Sequence, residues 1–446
     1  MLIRAETGVK GKIDWAFFAA ALGLLAMGTL SVFSAANELP YYGQVIQKHL
    51  SALALGGLLF LFGLTFNYQI FQDQAKVLYG VIIAVLVAVL LVGVTQRGQK
   101  AWFNLGFMTF QPAELARAST ILVLAAFLDF RARKTHEFAT VLMTVGVAAP
   151  VMMLILKQPD FSTTLVFFPV LLGMLFCAGA SIAHLLAVTG FGFMALSMPL
   201  FYTLCQVRYA EAGPGSWAYW ILQTSRFGAA TWIVVGSIIA ASVLAWRLAA
   251  MARFHVRAVF FVVAPLILIS GFFSGIMVHR QLKGYQRNRF VAFLAPETDI
   301  QGAAYNVRQS QIAIGSGGVV GKGLFSGTQS RLGFLPERHT DFVYAVVGEE
   351  LGFFGTMAIL SLYLALIWRI VIAGRLARDR FGFLICCGMA TMYSFHLVLN
   401  VGMCLGLMPV AGIPLPLISY GGSSLVITLW TLGVVANVYS RRYSLL

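Results

Sequence analysis

Residues 77–95 read VLYGVIIAVLVAVLLVGVT and contain no charged side chain. About 20 apolar residues in an α-helix cross the ~30 Å hydrocarbon core of a bilayer. Similar apolar stretches recur along the chain, so we predict twelve membrane-spanning helices. Their expected ranges are 15–35, 48–66, 76–95, 112–129, 139–157, 161–179, 182–204, 228–250, 258–278, 342–371, 382–403 and 418–440. Because lipid offers backbone groups no hydrogen-bond partner, these spans predict an all-α, polytopic transmembrane fold.

The composition of the 446-residue chain agrees with this interpretation. Hydrophobic residues make up 59% and charged residues 11%, whereas a soluble domain has about 25% charged residues. These values exclude a soluble globular enzyme, a disordered chain and a fibrous repeat. The formal net charge of +15 favours an anionic lipid surface or lipid substrate over nucleic acid, since dense basic runs are missing. We expect one integral membrane domain over residues 1–446.

Basic residues in the short loops predict the orientation of the spans, because cytoplasmic loops are enriched in Lys and Arg. Clusters follow spans four, eight, ten and twelve: Arg131, Arg133 and Lys134; Arg247, Arg253 and Arg257; Arg369, Arg375, Arg378 and Arg380; Arg441 and Arg442. Both termini are therefore expected to be cytoplasmic. Residues 96–111 and 279–341 are then expected to lie outside.

The first outside segment, 96–111, carries Lys100 and Trp102 and leads into the sequence QPAELAR at 111–117. Its proline suits the first turn of a helix. Glu114 and Arg117 are three residues apart, so they share one helix face and can form an ion pair. Ionisable residues at membrane depth are costly and are candidate functional groups. The alternative is interfacial anchoring by Trp102 beside a structural ion pair.

A second polar segment interrupts two apolar runs at Lys157-Gln158-Pro159-Asp160. Lys157 and Asp160 can pair with each other or with the Glu114–Arg117 face. The alternative is a tight turn between spans five and six.

The outside segment 279–341 is the longest non-apolar stretch, and its basic residues outnumber its acidic ones. Guanidinium and ammonium groups there would suit a phosphorylated lipid headgroup. It contains Asp299, Tyr305, Gln309 and Ser310. A solvated loop with scattered charges is the alternative.

A glycine-rich sequence, GSGGVVGKG at 315–323, follows in the same segment. It is not a P-loop, because Ser316 and Gly323 replace required residues. Dense glycine permits positive φ and close backbone approach, so backbone N–H groups here could face a phosphate. Lys322 would add a cation.

Three polar residues, Glu337, His339 and Asp341, lie directly before span ten. Two carboxylates follow inside the span. Glu349 and Glu350 are about two turns deep, where they need polar partners or water. A carboxylate near cations can serve as a general base. From the residues alone, the reaction class stays open.

Together these motifs resemble the SEDS family (shape, elongation, division and sporulation). The segments 327–329 and 400–403 are more similar to its rod-shape branch than to its division branch. The resemblance rests on Gln111–Arg117, Gln158–Asp160, Tyr305–Gly323, Gly327–Gln329, Phe334–Phe342, Gly348–Gly352 and Pro414–Ser423.

The resemblance implies a peptidoglycan glycosyltransferase that polymerises lipid II at the outer face of the bacterial cytoplasmic (inner) membrane, for cell elongation and rod shape. A class B penicillin-binding protein would be its partner transpeptidase. Asp299 aligns with the family's essential loop aspartate and would be the general base for the incoming sugar 4-hydroxyl. Undecaprenyl pyrophosphate would leave. Arg and Lys side chains, or a divalent cation (Mg²⁺ or Mn²⁺), would stabilise its charge.

The resemblance also implies the contacts and the organisation of the chain. Trp102 matches a family tryptophan, and Glu114, Arg117 and Asp160 match its intramembrane polar cluster. The family core has ten spans, so residues 206–278 are expected to be an insertion with two extra helices. The candidate substrate-binding residues are Lys100, Trp102, Gln111, Glu114, Arg117, Lys157, Asp160, Tyr305, Gln309, Ser310, Lys322, Glu337, His339 and Asp341.

Two other functions remain open, a lipid II flippase and a non-catalytic scaffold for cell-wall synthases. A flippase needs no outside base, and a scaffold makes Asp299 dispensable. The basic outside loop and Asp299 favour the enzyme.

Overall fold

The structure is a computed structural model that describes residues 13–96, 99–104, 106, 108–209, 213, 215–253, 260–282, 284–298 and 302–443. Asp299 lies outside the described residues. Almost all of the regular structure is α-helix, which confirms the predicted all-α class.

Seventeen α-helices occur within those ranges. In chain order they are α1 (Trp15–Ala36), α2 (Tyr42–Thr65), α3 (Gln69–Asp73), α4 (Ala75–Val92), α5 (Pro112–Phe130), α6 (Phe138–Lys157), α7 (Phe161–Cys177), α8 (Ile182–Arg208), α9 (Trp217–Thr224), α10 (Ala229–Met251), α11 (Phe260–Gln281), α12 (Gly284–Leu294), α13 (Ala303–Gly317), α14 (Thr328–Arg331), α15 (Val343–Arg375), α16 (Arg380–Cys404) and α17 (Gly422–Ser440).

Each of the twelve predicted spans coincides with one of these helices. Ten described helices are long and apolar enough to cross a membrane, so the chain is a multi-pass membrane protein. The other two are α5 and α7. Helix α7 has only 17 residues, and α5 carries Glu114, Arg117 and Asp129. Helix α5 is buried along most of its length, so surrounding protein shields Glu114 and Arg117 from lipid.

The described chain forms two compact units. Unit 1 comes from the segments Met1–Ala180, Arg308–Leu407 and Ala411–Leu446. Unit 2 comes from Ser181–Val307 and Met408–Val410. Unit 1 therefore contains α1–α7, α14–α17 and most of α13, and unit 2 contains α8–α12.

Helices α2 and α17 of unit 1 pack closely because small residues line their contact. A Cβ atom at Gly63 would lie 2.8 Å from the carbonyl oxygen of Trp430, which is closer than real contacts allow. Backbones can approach this far only where the side chain is missing, and such contacts stabilise helix pairs in lipid.

Helices α1 and α15 run antiparallel. Two contacts show this, since each joins the end of one helix to the start of the other. The hydroxyl of Ser34, near the end of α1, donates to Glu350, near the start of α15, over 2.5 Å. At the other end, Arg369 of α15 pairs with Asp14, the N-cap of α1, over 2.8 Å. We call the first location the motif end of unit 1, where α1 finishes and α5, α7 and α15 begin.

The opposite end of unit 1 is the basic end, where α5, α7 and α15 finish and α16 begins. Arg380, at the start of α16, donates to the carbonyl of Ala178, at the end of α7, over 2.7 Å. The hydroxyl of Tyr68, beyond α2, donates to Asp379 over 2.9 Å. These bonds hold the loops of the basic end together.

The segment between α4 and α5 folds as a small antiparallel sheet in the order β1 (Val94–Gln96), β2 (Gln99–Asn104) and β3 (Thr109–Phe110). Val94 pairs with Trp102, and Phe103 pairs with Phe110. The sequence predicted only a loop here. Threonine and aromatic residues favour strands, and pairing satisfies their backbone groups.

In unit 2, α8 and α11 pack against each other through glycine. A Cβ at Gly275 would lie 2.6 Å from the Cβ of Met198. Helix α10 buries only Ala230 and Thr231. That residues 206–278 are an insertion stays a prediction.

Candidate functional site

Helix α15 is interrupted at Gly352, whose φ of 64° and ψ of −157° are not helical. The glycine-rich segment 317–323 fills the interruption. The N–H groups of Lys322 and Gly323 donate to the carbonyls of Glu349 (3.0 Å) and Glu350 (2.9 Å). The N–H of Phe353 donates back to the carbonyl of Gly318 over 2.9 Å. The carbonyls of Glu349 and Glu350 and the N–H of Phe353 therefore keep hydrogen-bond partners although the helix is interrupted.

This packing corrects one expectation from the sequence. Positive φ occurs in the glycine-rich segment as predicted, at Gly321 for example. The N–H groups of Gly321, Lys322 and Gly323, however, donate to protein carbonyls. For these three groups the hypothesis that they face a phosphate is wrong, because the N–H of Gly321 donates to Gly317 within its own segment and the other two donate to the unwound turn of α15.

The fully buried carboxylate of Glu349 collects four hydrogen bonds. Its Oε1 accepts from the Lys322 ammonium (2.9 Å), the Thr328 hydroxyl (2.9 Å) and the N–H of Gln329 (2.8 Å). Its Oε2 accepts from the N–H of Ser330 over 3.0 Å. The expected need of this carboxylate for partners is confirmed. Lys322, a predicted substrate contact, is 27% exposed and lies in this internal clamp.

A polar cavity of about 560 Å³ lies at the motif end. It contains Glu337 and His339, which the sequence singled out, together with charged residues that it did not. Its full lining is Glu38, Leu39, Tyr41, Gln44, Val45, Lys48, Arg331, Leu332, Gly333, Leu335, Pro336, Glu337, Arg338, His339 and Tyr420. Glu38 and Lys48 were detectable as charges flanking the short turn between spans one and two.

Two arginines shape the wall of this cavity. The guanidinium of Arg331 donates to Glu38 over 2.9 Å. Arg338 is buried, and it donates to the carbonyls of Ala35 (2.7 Å) and Ser330. Burial lowers the pKa of the Arg338 guanidinium. Arg338 thus joins the end of α1 to the clamped segment that Glu349 holds.

His339 and Tyr420 lie side by side in the lining. The N–H of Tyr420 donates to the carbonyl of His339 over 2.8 Å, and their ring centroids are 5.4 Å apart. An aromatic surface beside charged groups suits a ligand with both polar and apolar faces.

A second polar cluster lies at the start of α5. Glu114 and Arg117 form the predicted ion pair, and each side chain is only 5% exposed. The amide of Gln111 donates to Asp160 over 2.8 Å. Asp160 also caps α7 by accepting from the N–H of Thr163 over 3.0 Å. In the described chain, Nε of Arg117 is buried and has no hydrogen-bond partner.

Lys157 does not take part in this cluster. It is exposed at the end of α6, and the described residues contain no ion pair between Lys157 and Asp160. The pairing of Lys157 with Asp160 is therefore wrong, whereas Asp160 does lie in the cluster of Glu114 and Arg117, which it joins through Gln111. Its carboxylate turns inward instead, because capping α7 and accepting from Gln111 satisfy it there.

The small sheet adds Lys100 and Trp102 to the motif end. The Lys100 ammonium donates to the carbonyl of Leu91 over 2.8 Å, and Trp102 is half-buried on β2. The amide of Gln99 donates to the carbonyl of Pro159 over 3.2 Å. The sheet thus contacts the turn that carries Asp160.

The remaining candidates are dispersed. Ser310 is buried and donates to the carbonyl of Cys404 over 2.9 Å, and the half-buried Gln309 precedes it in unit 1. The half-buried Tyr305 belongs to unit 2. The backbone carbonyl of Asp341 accepts from Asn400 over 3.0 Å.

Among the residues that the structure describes, no group of three or more His, Cys, Asp or Glu side chains could hold a metal ion. Asp299 is not among these residues. A Mg²⁺ or Mn²⁺ site therefore stays a prediction.

The family model described as cell cycle protein, covering FtsW, RodA and SpoVE, matches residues 12–212 and 229–444. Peptidoglycan glycosyltransferase MrdB of Escherichia coli K12 is 30% identical to this chain over 433 residues, which are 97% of this chain and 95% of that protein. Peptidoglycan glycosyltransferase RodA of Treponema pallidum is 31% identical over 435 residues, or 96% and 98%.

Solved structures show the same similarity. A chain from a peptidoglycan synthase complex that coordinates polymerization and crosslinking has a TM-score of 0.65 and 28% identity, covering 97% of this chain and 99% of that chain. The rod shape determining protein RodA of Thermus thermophilus has a TM-score of 0.59 and 26% identity, covering 97% and 98%. With the family match over most of its length, this chain belongs to the FtsW/RodA/SpoVE family, the SEDS family of peptidoglycan glycosyltransferases.

Proposed function

We propose that this glycosyltransferase polymerises lipid II into glycan strands at the outer face of the bacterial cytoplasmic membrane, for cell elongation and rod shape. Relatives named MrdB and RodA support this activity and this role. The observation that carries the proposal is the charged 560 Å³ cavity at the motif end of a membrane-spanning bundle. A lipid-linked sugar needs such a polar chamber at the edge of the bilayer.

The proposed chemistry uses one carboxylate. Asp299 takes the proton of the acceptor sugar's 4-hydroxyl, and that oxygen attacks the anomeric carbon of the donor. The bond from this carbon to the phosphate oxygen breaks, and undecaprenyl pyrophosphate leaves with the electron pair. Pyrophosphate needs no acid to leave, so the second carboxylate of a glycoside hydrolase is unnecessary.

The cavity is proposed to hold the polar headgroup of the substrate. Lys48 lies in its wall with Arg331 and Arg338, and cations stabilise a developing phosphate charge. Glu337 and His339 would contact the sugar or the peptide. The Gln111–Asp160 cluster would support this wall from the start of α5 and α7. A bound divalent cation would add charge stabilisation, but no step here depends on one.

The orientation and the partner are also proposals. Arginines concentrate at the basic end, which the positive-inside rule assigns to the cytoplasm. The motif end, with the cavity that lies there, then faces outward, and both termini are cytoplasmic. Similarity to a chain of a peptidoglycan synthase complex supports a class B penicillin-binding protein as the partner transpeptidase.

The test is polymerisation by purified protein. Wild type, Asp299→Asn and Glu297→Gln are incubated with labelled lipid II, alone and with the cognate penicillin-binding protein, and products are separated on a gel. Glu297→Gln is the matched control, since this exposed carboxylate belongs to the same loop and lies 3.6 Å from Arg208. We expect glycan polymer from wild type and Glu297→Gln only.

Polymer from Asp299→Asn would remove Asp299 from the mechanism. If no variant and no wild-type sample makes polymer even with the partner, the activity proposal fails. Lipid II movement across vesicles would then support a flippase, and no movement would support a scaffold.

A further inference from the structure

A second cavity of about 460 Å³ lies at the basic end, far along the bundle from the motif residues. It is formed where α7 and α15 finish and α16 begins. Arg375, Arg378 and Arg380 line it, with Asp379 and Phe383. Three guanidinium groups against one carboxylate leave an excess of positive charge.

Asp379 offsets only one of the three positive charges, and its oxygens accept hydrogen bonds from neutral donors rather than from the arginines. Oδ2 of Asp379 accepts from the Tyr68 hydroxyl (2.9 Å) and the Gln69 amide (3.0 Å). Oδ1 accepts from the N–H of Gly382 over 2.7 Å. Burial and the Asp379 bond raise the pKa of the Tyr68 hydroxyl, which therefore stays a neutral donor.

The arginines differ in how they are held. Arg380 donates to the carbonyl of Ala178 over 2.7 Å, so it is fixed in the wall. Arg375 and Arg378 are exposed. Among the described residues, neither is within ion-pair distance of a carboxylate. Their guanidinium groups can therefore turn toward an external anion.

Apolar side chains border the same cavity. Phe176, one residue before its rim, is 67% exposed, and Leu376, between two lining residues, is 45% exposed. Phe176 lies near the end of α7, and Leu376 directly follows α15. A cationic cavity flanked by apolar surface at a helix end matches a phospholipid, with its phosphate in the cavity and its acyl chain alongside.

We propose that this cavity binds the headgroup of an anionic phospholipid, such as phosphatidylglycerol or cardiolipin. Arg375 and Arg378 donate to the phosphate oxygens, a geometry that the planar guanidinium fits well. The site is separate from the proposed catalytic cavity and does not depend on the polymerase activity.

The test measures lipid retention by native mass spectrometry of the delipidated full chain. Dioleoyl phosphatidylglycerol, tetraoleoyl cardiolipin and dioleoyl phosphatidylethanolamine are added separately to wild type and to the double variant Arg375→Gln/Arg378→Gln. The control is Arg133→Gln/Lys134→Gln, which removes the same charge from exposed residues of the basic end outside the cavity. Melting temperatures verify that each variant is folded.

We expect wild type to retain the two anionic lipids at lower concentration than phosphatidylethanolamine. The cavity variant should bind them about 25-fold more weakly, roughly fivefold for each basic residue, and the control should match wild type. Arg378→Lys keeps the positive charge, so it should bind the anionic lipids more tightly than Arg378→Gln but less tightly than wild type.

Three results would overturn the proposal. Equal losses in the two double variants would indicate general surface charge. Equal retention of phosphatidylethanolamine would show that anionic headgroups are not recognised. Displacement of the lipid by millimolar inorganic phosphate would make this a site for a free anion.

Discussion

The Lys322 ammonium lies 2.9 Å from Oε1 of the buried Glu349 carboxylate, beside the interruption of α15. This contact joins a loop residue to a membrane-spanning helix. Through Glu349 it also holds the backbone of Gln329 and Ser330, and the carbonyl of Ser330 accepts from Arg338. The cavity wall therefore depends on a charge pair that does not face the cavity.

Breaking this pair should destabilise the motif end. Removing one partner of a buried ion pair costs on the order of 3–5 kcal/mol. Glu349→Ala should lower the melting temperature in detergent more than Lys322→Met, because Glu349 accepts four hydrogen bonds and its loss also leaves the N–H groups of Gln329 and Ser330 without this acceptor. The exposed Lys134→Met should have almost no effect. Unchanged melting of Glu349→Ala would contradict the clamp.

The Glu114–Arg117 pair should show strong coupling. Arg117→Met leaves a buried carboxylate without its cation, so it should be more damaging than the double variant Glu114→Gln/Arg117→Met. Melting temperatures of wild type, both single variants and the double variant complete the cycle. Additive effects would show that the two side chains do not interact.

The interruption at Gly352 should not tolerate a side chain. A non-glycine residue at this positive φ is strained by about 1–2 kcal/mol, and a Cβ would also lie 2.7 Å from the carbonyl oxygen of Val319. Gly352→Ala should therefore lower the yield and melting temperature of the folded protein. Gly80→Ala is the control, because a Cβ there meets nothing within 4 Å. Similar melting of the two variants would be evidence against the close approach.

Lys48 should contribute to substrate binding through its charge. Charge-assisted hydrogen bonds contribute about 1.5–3 kcal/mol, so Lys48→Met should reduce kcat/KM for lipid II polymerisation by about 10- to 100-fold. Lys76→Met, an exposed lysine at the start of α4, should leave it unchanged. An unchanged kcat/KM for Lys48→Met would contradict the proposal that this cavity binds the substrate.

The proposed orientation can be tested by labelling. Ser326→Cys belongs to the motif end and Lys134→Cys to the basic end, and both positions are exposed. A membrane-impermeant maleimide applied to intact cells should label Ser326→Cys above the wild-type background, and Lys134→Cys only after lysis. The reverse pattern would invert the topology.

Much of the fold was predictable from local patterns. Long apolar stretches predicted the spans. They also predicted helix α5, although Glu114 and Arg117 make it less apolar than the others. The spacing of those two residues also predicted their ion pair, since three residues separate neighbours on one helix face. The small sheet was missed, because its short strands are stabilised by pairing between segments.

The site was predicted less completely. Glu337 and His339 were identified, but Glu38, Lys48 and Tyr420 were not. These residues are distant in sequence and meet only where α1, α2 and the loop before α17 come together. The sequence predicted that Lys322 contacts the substrate, whereas the structure pairs its ammonium with the Glu349 carboxylate.

The sequence by itself determined the class of the protein, its membrane spans and its family, because hydropathy and motif spacing are properties of neighbouring residues. Only the tertiary structure decided which charges are engaged with each other and which line a cavity. The reason is physical: the position of a carboxylate or an arginine depends on contacts between helices that are hundreds of residues apart, such as Ser34 with Glu350.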